Sequence, residues 1–362
     1  MKNYDVYLFA EVGKTKISSL ASENLLIELK NNLNFSDGTK VFKLYFYSIY
    51  EIYNFKKWFF NCFLKSYSNG TLKYMPSTSI KLIRDLIYIS HIFFTYFIKK
   101  PNHIIIYNLN KIQLLILSKF KNLINAKISL IQADGFVINE DKLCLFNNVY
   151  VFSTNLYKLY SEYTNKPQII HCFPFIQNNY VQKKRKKSIN NKKDILILHS
   201  GSISEYNLPK KNLEKLVKIV NSNRRVKIIF TTTQDKIPHF FQIYLKKFAS
   251  SFFLKKDLSL DQLDDIISKC HFGLDIRDNK NINSNVDFPS KILFYIKNNV
   301  TVFSTLSNSI PNEIKEKLLD FRFIEDYIFD IDDEIINQNY NYINKLLNKK
   351  CLSSVLRNSI FY

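Results

Sequence analysis

The densest chemistry in this chain lies where a serine and a lysine stand at the start of a helix, after a strand-like run and a polar loop. The stretch "NVDFPSKILFYIKNNVTVFST", residues 285–305, puts Pro289, Ser290 and Lys291 at the head of a short apolar helix, and Arg277 stands upstream across a polar loop. Proline presets φ for a first helical turn and lacks the N–H that would be orphaned there, so a helix is predicted to begin near Phe288 to Ser290. The N–H groups and positive dipole end of such a helix attract anions, and Ser290 and Lys291 add a hydroxyl donor and a full charge. A phosphate group fits that combination. The tripeptide also reads as a plain helix start, and what favours a ligand is its place beyond the carboxyl end of a strand in an open α/β sheet.

Such a sheet has to be built by the rest of the chain. Strand-like runs alternate with helical patterns almost from end to end, which predicts parallel sheets covered by helices on both faces. In the second half the strands are "DILILHS", "VKIIFTT", "SFFL", "HFGLDI" and "VTVFS". Leu213, Leu216, Val217 and Val220 stand at helical spacing after the first of them, and Ser259 with Gln262 forms a capping-box start for a later helix. In the first half "YDVYLFA", "VFKLYFY", "HIIIYNL", "AKISLIQ" and "VYVFS" are five candidate strands, with helices expected near 16–32, 50–66, 81–99, 110–123 and 154–163. The basic, aperiodic run over 181–193 reads as a linker. It separates a first Rossmann-like domain (1–180) from a second (194–330), and a helical tail (331–362) would pack back toward the first. The expected architecture is therefore α/β, two Rossmann-like domains facing each other across a cleft.

The chain has 362 residues and a formal charge of +21, with 31 Phe and 23 Tyr. That apolar content is ample for two cores. The charge invites a nucleic-acid reading, but Lys, Asn, Ile, Phe and Tyr are all abundant, as an AT-rich genome would produce, and no nucleic-acid module is visible; no nucleic-acid partner is expected. Five cysteines, far apart and odd in number, point to neither a disulfide framework nor a zinc site and suit a reducing cytoplasm. The first residues read as a core strand rather than a signal peptide. The run "LIYISHIFFTYFI" (86–98) is too short to cross a bilayer and reads as a buried or interfacial helix. The segment 50–67 mixes Trp58, Phe59 and Phe60 with Lys56 and Lys57, which suits peripheral contact with an anionic membrane and equally a packed surface helix. The Asp-x-Asp in "DIDDEIIN" (330–337) reads as the acidic first turn of a helix rather than a metal site. His171, His199 and His271 sit in apolar strand runs, where a hydrogen-bonded core imidazole is expected. Neither a Walker lysine motif nor a G-x-G-x-x-G is present, so ATP and NAD chemistry find no support.

The segment "CHFGLDIRDNKNINSNVDFPSKILFYIKNNVTVFST" (270–305) resembles the donor-binding segment of retaining GT-B glycosyltransferases of bacterial surface-polysaccharide assembly, through Gly273, Leu274, Arg277, Pro289, Ser290, Lys291 and Tyr295. "ILILHSGSISEYN" (195–207) resembles the first strand and glycine loop of that family's second domain. The resemblance implies transfer of a sugar from a nucleotide-diphosphate sugar to a glycan or lipid-linked acceptor at the cytoplasmic face. It implies no metal and no cofactor beyond that substrate. Lys291 and Arg277 would stabilise the leaving diphosphate and Ser290 would donate to it. Gly201, followed by Ser202, would let backbone N–H groups approach it, a Cβ there being an obstruction, although an ordinary strand-to-helix turn would also use that glycine. The family's two glutamates fall here on Val286 and Phe294, neither of which can accept a hydrogen bond from a ribose, with Asp287 as the adjacent substitute. On the acceptor side, Asp134, and Glu11 with Gly13 and Lys14, follow strands whose loops would enter the same crevice, where a carboxylate orients a hydroxyl or takes its proton; lone acids after strands also serve as helix caps.

Overall fold

The computed structural model describes residues 5–10, 29, 44–51, 72–77, 81–133, 136–174, 194–278, 286–328, 341–343, 345–346 and 349–361. The chain forms two compact units, Met1–Gln177 together with Lys350–Tyr362, and Asn178–Lys349.

The first unit holds strands β1 (Val6–Ala10), β2 (Leu44–Glu51), β3 (Leu72–Ser77), β4 (His103–Tyr107), β5 (Lys127–Gln132), β6 (Asn148–Val151) and β7 (Gln168–His171), with helices α1 (Lys81–Lys99), α2 (Lys111–Phe120) and α3 (Thr154–Ser161). The strands run parallel in the order β3-β2-β1-β4-β5-β6-β7. Covered on both faces, β1 and β4 are buried at every position, which is why they read as unbroken apolar runs. Asn110 caps α2 by accepting from the N–H groups of Ile112 and Gln113, and the Gln113 side chain returns a bond to the Asn110 N–H.

Two strands of this unit escaped the sequence reading. Both lie at the edges of the sheet, where β3 tolerates Pro76 and β7 has only four residues, so neither shows an apolar run. Tyr50 and Glu51 end β2, so the helix expected from residue 50 does not start there; the rest of that segment, the acid pair of 330–337 and the basic run of 181–193 lie outside the described residues. The helix α8 (Leu352–Phe361) belongs to the first unit. Phe173 donates its N–H to the Lys350 carbonyl (2.9 Å) and accepts from the Leu352 N–H (3.1 Å), and the Tyr150 hydroxyl meets Ser359 Oγ at 2.5 Å.

The second unit repeats the architecture. Strands β8 (Ile195–Ser200), β9 (Val226–Thr232), β10 (Phe252–Lys256), β11 (Phe272–Asp275), β12 (Thr301–Ser304) and β13 (Leu319–Asp320) form a parallel sheet in the order β10-β9-β8-β11-β12-β13. Helices α4 (Lys210–Ser222), α5 (His239–Lys247), α6 (Leu260–Lys269) and α7 (Ser290–Lys297) connect them. Its core joins Ile195 and Ile197 of β8, Ile228 and Phe230 of β9, Leu213 and Leu216 of α4, and Phe272 and Leu274 of β11. The capping box of Ser259 and Gln262 forms at α6. In both sheets successive connections go outward from the first strand and then return to its other side, leaving a switch point between β1 and β4 and another between β8 and β11.

Candidate functional site

The second switch point is where the chain assembles its buried charges. Asp275 ends β11, and Arg277 follows two positions on, so an extended backbone sets both side chains on one side. Asp275 is 0% exposed, and its Oδ1 accepts from Arg277 Nε at 3.2 Å and faces Lys291 Nζ at 3.6 Å. Its Oδ2 accepts from Ser304 Oγ (3.3 Å), the cross-strand partner on β12. Arg277 also donates through Nη1 to the Asp287 carbonyl (3.2 Å) and to the Tyr206 hydroxyl (3.4 Å). Two cations thus share one buried carboxylate, and the cluster keeps a net positive charge with little solvent: the side chains of Arg277 and Lys291 are 7% and 16% exposed.

The backbone around the cluster is tied down. Thr305 Oγ1 donates to the Arg277 carbonyl, Asn212 Nδ2 of α4 to the Ile276 carbonyl, and the Asp278 N–H to the Tyr206 carbonyl. Burial brings the Lys291 ammonium down to about 8, with Arg277 pushing the same way and Asp275 opposing. Burial also works against the charge of Arg277, but Asp275 and Tyr206 more than offset it and hold the guanidinium above its ordinary value.

Tyr295 positions Lys291. Its ring lies against Gly273 so closely that a Cβ on residue 273 would sit 2.5 Å from the ring, a contact no side chain tolerates. Its hydroxyl donates to the Leu198 carbonyl (3.2 Å) and accepts from the Ser200 N–H (3.0 Å), completing the edge of β8 beyond its two paired positions with β11. The tyrosine therefore docks α7 onto the sheet, which fixes the first turn of that helix beside Asp275.

The architecture has known counterparts among solved structures. A glycosyltransferase from Rickettsia africae ESF-5 is similar over 99% of this chain and 97% of its own, with a TM-score of 0.66 at 13% identity. A sucrose-phosphate synthase from Thermosynechococcus elongatus is similar over 99% and 98%, with a TM-score of 0.66 at 9% identity. The chain has the GT-B fold. An alpha-glucosyltransferase solved in complex with UDP-glucose and DNA containing an abasic site is similar over 99% of both chains, with a TM-score of 0.54 at 11% identity. No family model matches the sequence, and no curated protein does. At such identities the likeness carries the GT-B architecture, and the side chains at the switch point are this chain's own.

Within this GT-B fold the expected pair Lys291 and Arg277 comes together, joined by Asp275, a residue the sequence reading passed over. The signal was present in "LDIR": an acid and a base two apart at the end of a strand share a face. Pro289 stands at the N-cap of α7, one position earlier than a first helical turn, and the helix starts at the exposed Ser290. The helix end is less open than expected, because the Ser290 N–H donates to the Phe288 carbonyl and the Ile292 N–H to the Pro289 carbonyl. Gly201 adopts the strand-end turn that was one of its two expected readings. A Cβ there would meet nothing within 4 Å, but its φ of +121° is a conformation that side chains resist, and its N–H donates to the Thr231 carbonyl. Ser202 is exposed and accepts from Asn207 Nδ2. Asp287 is half-buried and contributes its carbonyl; Val286 is buried. Glu11, Gly13, Lys14 and Asp134 lie outside the described residues.

The histidines divide. His271 Nδ1 accepts from the Leu196 N–H at 3.1 Å, as a core imidazole should. His199, next to the end of β8, does not follow that expectation: it is 1% exposed and neither ring nitrogen has a hydrogen-bond partner among the described residues. Burial, with the Lys291 charge as the second cause, keeps it neutral far below the ordinary titration range. Among the described residues no group of three His, Cys, Asp or Glu could hold a metal ion, and no helix is long and apolar enough to cross a membrane.

Proposed function

We propose that the chain is a glycosyltransferase of surface-polysaccharide or glycoconjugate assembly. It takes a sugar from a nucleotide-diphosphate sugar and passes it, with retention and without a metal, to a hydroxyl of a glycan or lipid-linked glycan. One observation carries this reading: a net positive cluster of Lys291, Arg277 and Asp275, buried at the switch point of a parallel sheet. Uncompensated buried charge is costly, and an anion of matching size relieves it. The complex of a similarly folded alpha-glucosyltransferase with UDP-glucose supports a nucleotide sugar as that anion.

The chemistry needs charge stabilisation on the leaving group. As the bond from the anomeric carbon to the diphosphate oxygen breaks, negative charge grows on that oxygen, and fixed cations lower the barrier without reorganising. Lys291 and Arg277 supply those cations, Ser290 a hydroxyl donor, and Gly201 with Ser202 the turn beside them. Asp275 holds both cations in register. Asp287, half-buried and next to the place of the family's first glutamate, would take over contacts to the ribose. Asp134, with Glu11, Gly13 and Lys14, is assigned to the acceptor by its position in the sequence.

Thermal-shift titration with UDP, GDP, CMP and their sugars tests the reading. One of them should stabilise the protein, and Lys291→Ala should weaken that ligand by about 10- to 100-fold, the loss of one charge-assisted hydrogen bond. The affinity should fall as pH rises through about 8, where Lys291 loses its proton. If no nucleotide shifts the melting temperature, the donor site is wrong. Val286 and Phe294 favour a second reading, a non-catalytic GT-B partner in a glycan-assembly complex. It shares the fold but gives no such stabilisation.

A further inference from the structure

The first unit carries an exposed apolar surface unrelated to the donor cluster. The helix α1 is apolar on two sides. Tyr88, Ile89 and Ile92 are buried, while Leu86, Phe94 and Phe97 point outward, Phe94 and Phe97 remaining 63% and 55% exposed. The Phe93 ring packs edge-on against Phe120 at the end of α2 (5.9 Å between centroids), which joins the two helix ends into one surface continued by Leu123. Phe120 and Leu123 are exposed as well. An amphipathic helix on a sheet needs one apolar face; a second, solvent-facing one calls for a partner.

Charge identifies that partner. Lys99, Lys100 and Lys119 are exposed at the same helix ends. Residues 81–123 contain a single acid, Asp85, and it is buried and accepts from Asn110 Nδ2 (2.7 Å) and Gln113 Nε2 (2.9 Å). Within residues 81–123 the surface therefore presents aromatic rings with cations and no exposed anion. A second copy of this chain would bring the same lysines to the contact, and the formal charge of +21 makes that approach repulsive. An anionic bilayer answers both features, with rings at the headgroup boundary and lysines reaching the phosphates.

We propose that the surface formed by the ends of α1 and α2 docks on an anionic phospholipid bilayer, the helices lying on the membrane without crossing it. The proposal is independent of the donor site. It is tested by floating the full chain with vesicles of phosphatidylcholine alone or with added phosphatidylglycerol. The anionic vesicles should bind at least about tenfold more protein, salt should release it, and Phe94→Glu with Phe97→Glu should lower binding by about tenfold or more. Both positions are exposed, so the doubly substituted protein should keep the parent's melting temperature and its nucleotide response. Lys291→Ala should float like the parent. Equal binding to both vesicle types overturns the proposal, as does undiminished binding of the Glu-substituted protein. A concentration-dependent dimer abolished by those substitutions, with no vesicle binding, also overturns it and assigns the surface to self-association.

Discussion

The end of β11 in the second unit carries Asp275 and Arg277, buried and charged, whereas the first unit places amides at the ends of β4 and β5, the counterparts of β11 and β12. There Asn108, just past β4, accepts from the Ala133 N–H at 2.8 Å, and Gln132, ending β5, donates to the Phe136 carbonyl at 2.7 Å and accepts from the Tyr160 hydroxyl at 2.9 Å. Both sheets have the same strand order up to the extra strand β7. The difference teaches that topology sets where a ligand can approach and that side chains at the strand ends decide what it can be. Amides satisfied by loop backbone hold a shape. Two cations on one carboxylate hold a charge in reserve.

The largest test of that contrast removes the shared carboxylate. Asp275→Ala leaves Arg277 and Lys291 buried without their counter-ion, and denaturant titration should show a loss of about 3–5 kcal/mol. Gln132→Ala in the first unit should cost only about 1–3 kcal/mol, the price of two neutral hydrogen bonds. Equal losses would break the comparison.

Acid should next expose a cost inside the first unit. His103, hydrogen-bonded to Ser129 Oγ at 2.8 Å, is held down to about 4 by burial and, second, by Lys127, against an ordinary value of 6.5. Unfolded, it binds a proton at higher pH than it does in the fold. Its contribution to stability is complete above about 6.5 and is lost as pH falls toward about 4, on the order of 3 kcal/mol. Stability measured across that window in His103→Gln should lose most of this slope.

Smaller effects probe the switch point itself. Gly201→Ala should cost about 1–2 kcal/mol through backbone conformation alone, since no neighbouring atom opposes the added methyl. A thermal melt showing no change would mean that the turn relaxes. Smallest is His199→Phe, which replaces a buried imidazole without a hydrogen-bond partner among the described residues by an apolar ring beside Phe230 and should alter stability by less than about 1 kcal/mol in either direction. If His199 serves only the core, nucleotide binding survives that change. Loss of binding with stability intact would add the imidazole to the donor site and sharpen the contrast with the first unit.

Much of this was readable from the residues. Parallel strands covered on both faces must be apolar throughout, so β1, β4, β8, β9 and β11 announced themselves. Helix starts were visible at Ser259 because capping is local chemistry. Edge strands β3, β7 and the two-residue β13 were not, since pairing on one side leaves little apolar signature. Asp275 was hidden for another reason: within "FGLDI" it looks like the polar end of a strand, and its meaning depends on Lys291, sixteen residues further along the chain.

Local pattern, then, was enough for the alternation of strands and helices and for a helix starting behind Pro289, while the expectation that Lys291 and Arg277 share a site came from the family resemblance. Folding added what no local pattern contains. It drew Asp275 between the two cations, spent two of the N–H groups at the start of α7 on neighbouring carbonyls, and left His199 buried without a partner among the described residues. Periodicity reports how each segment meets the core, through forces acting within a few residues. Charge pairing and desolvation arise between segments far apart in the chain, and they exist only once the sheet has brought those segments side by side.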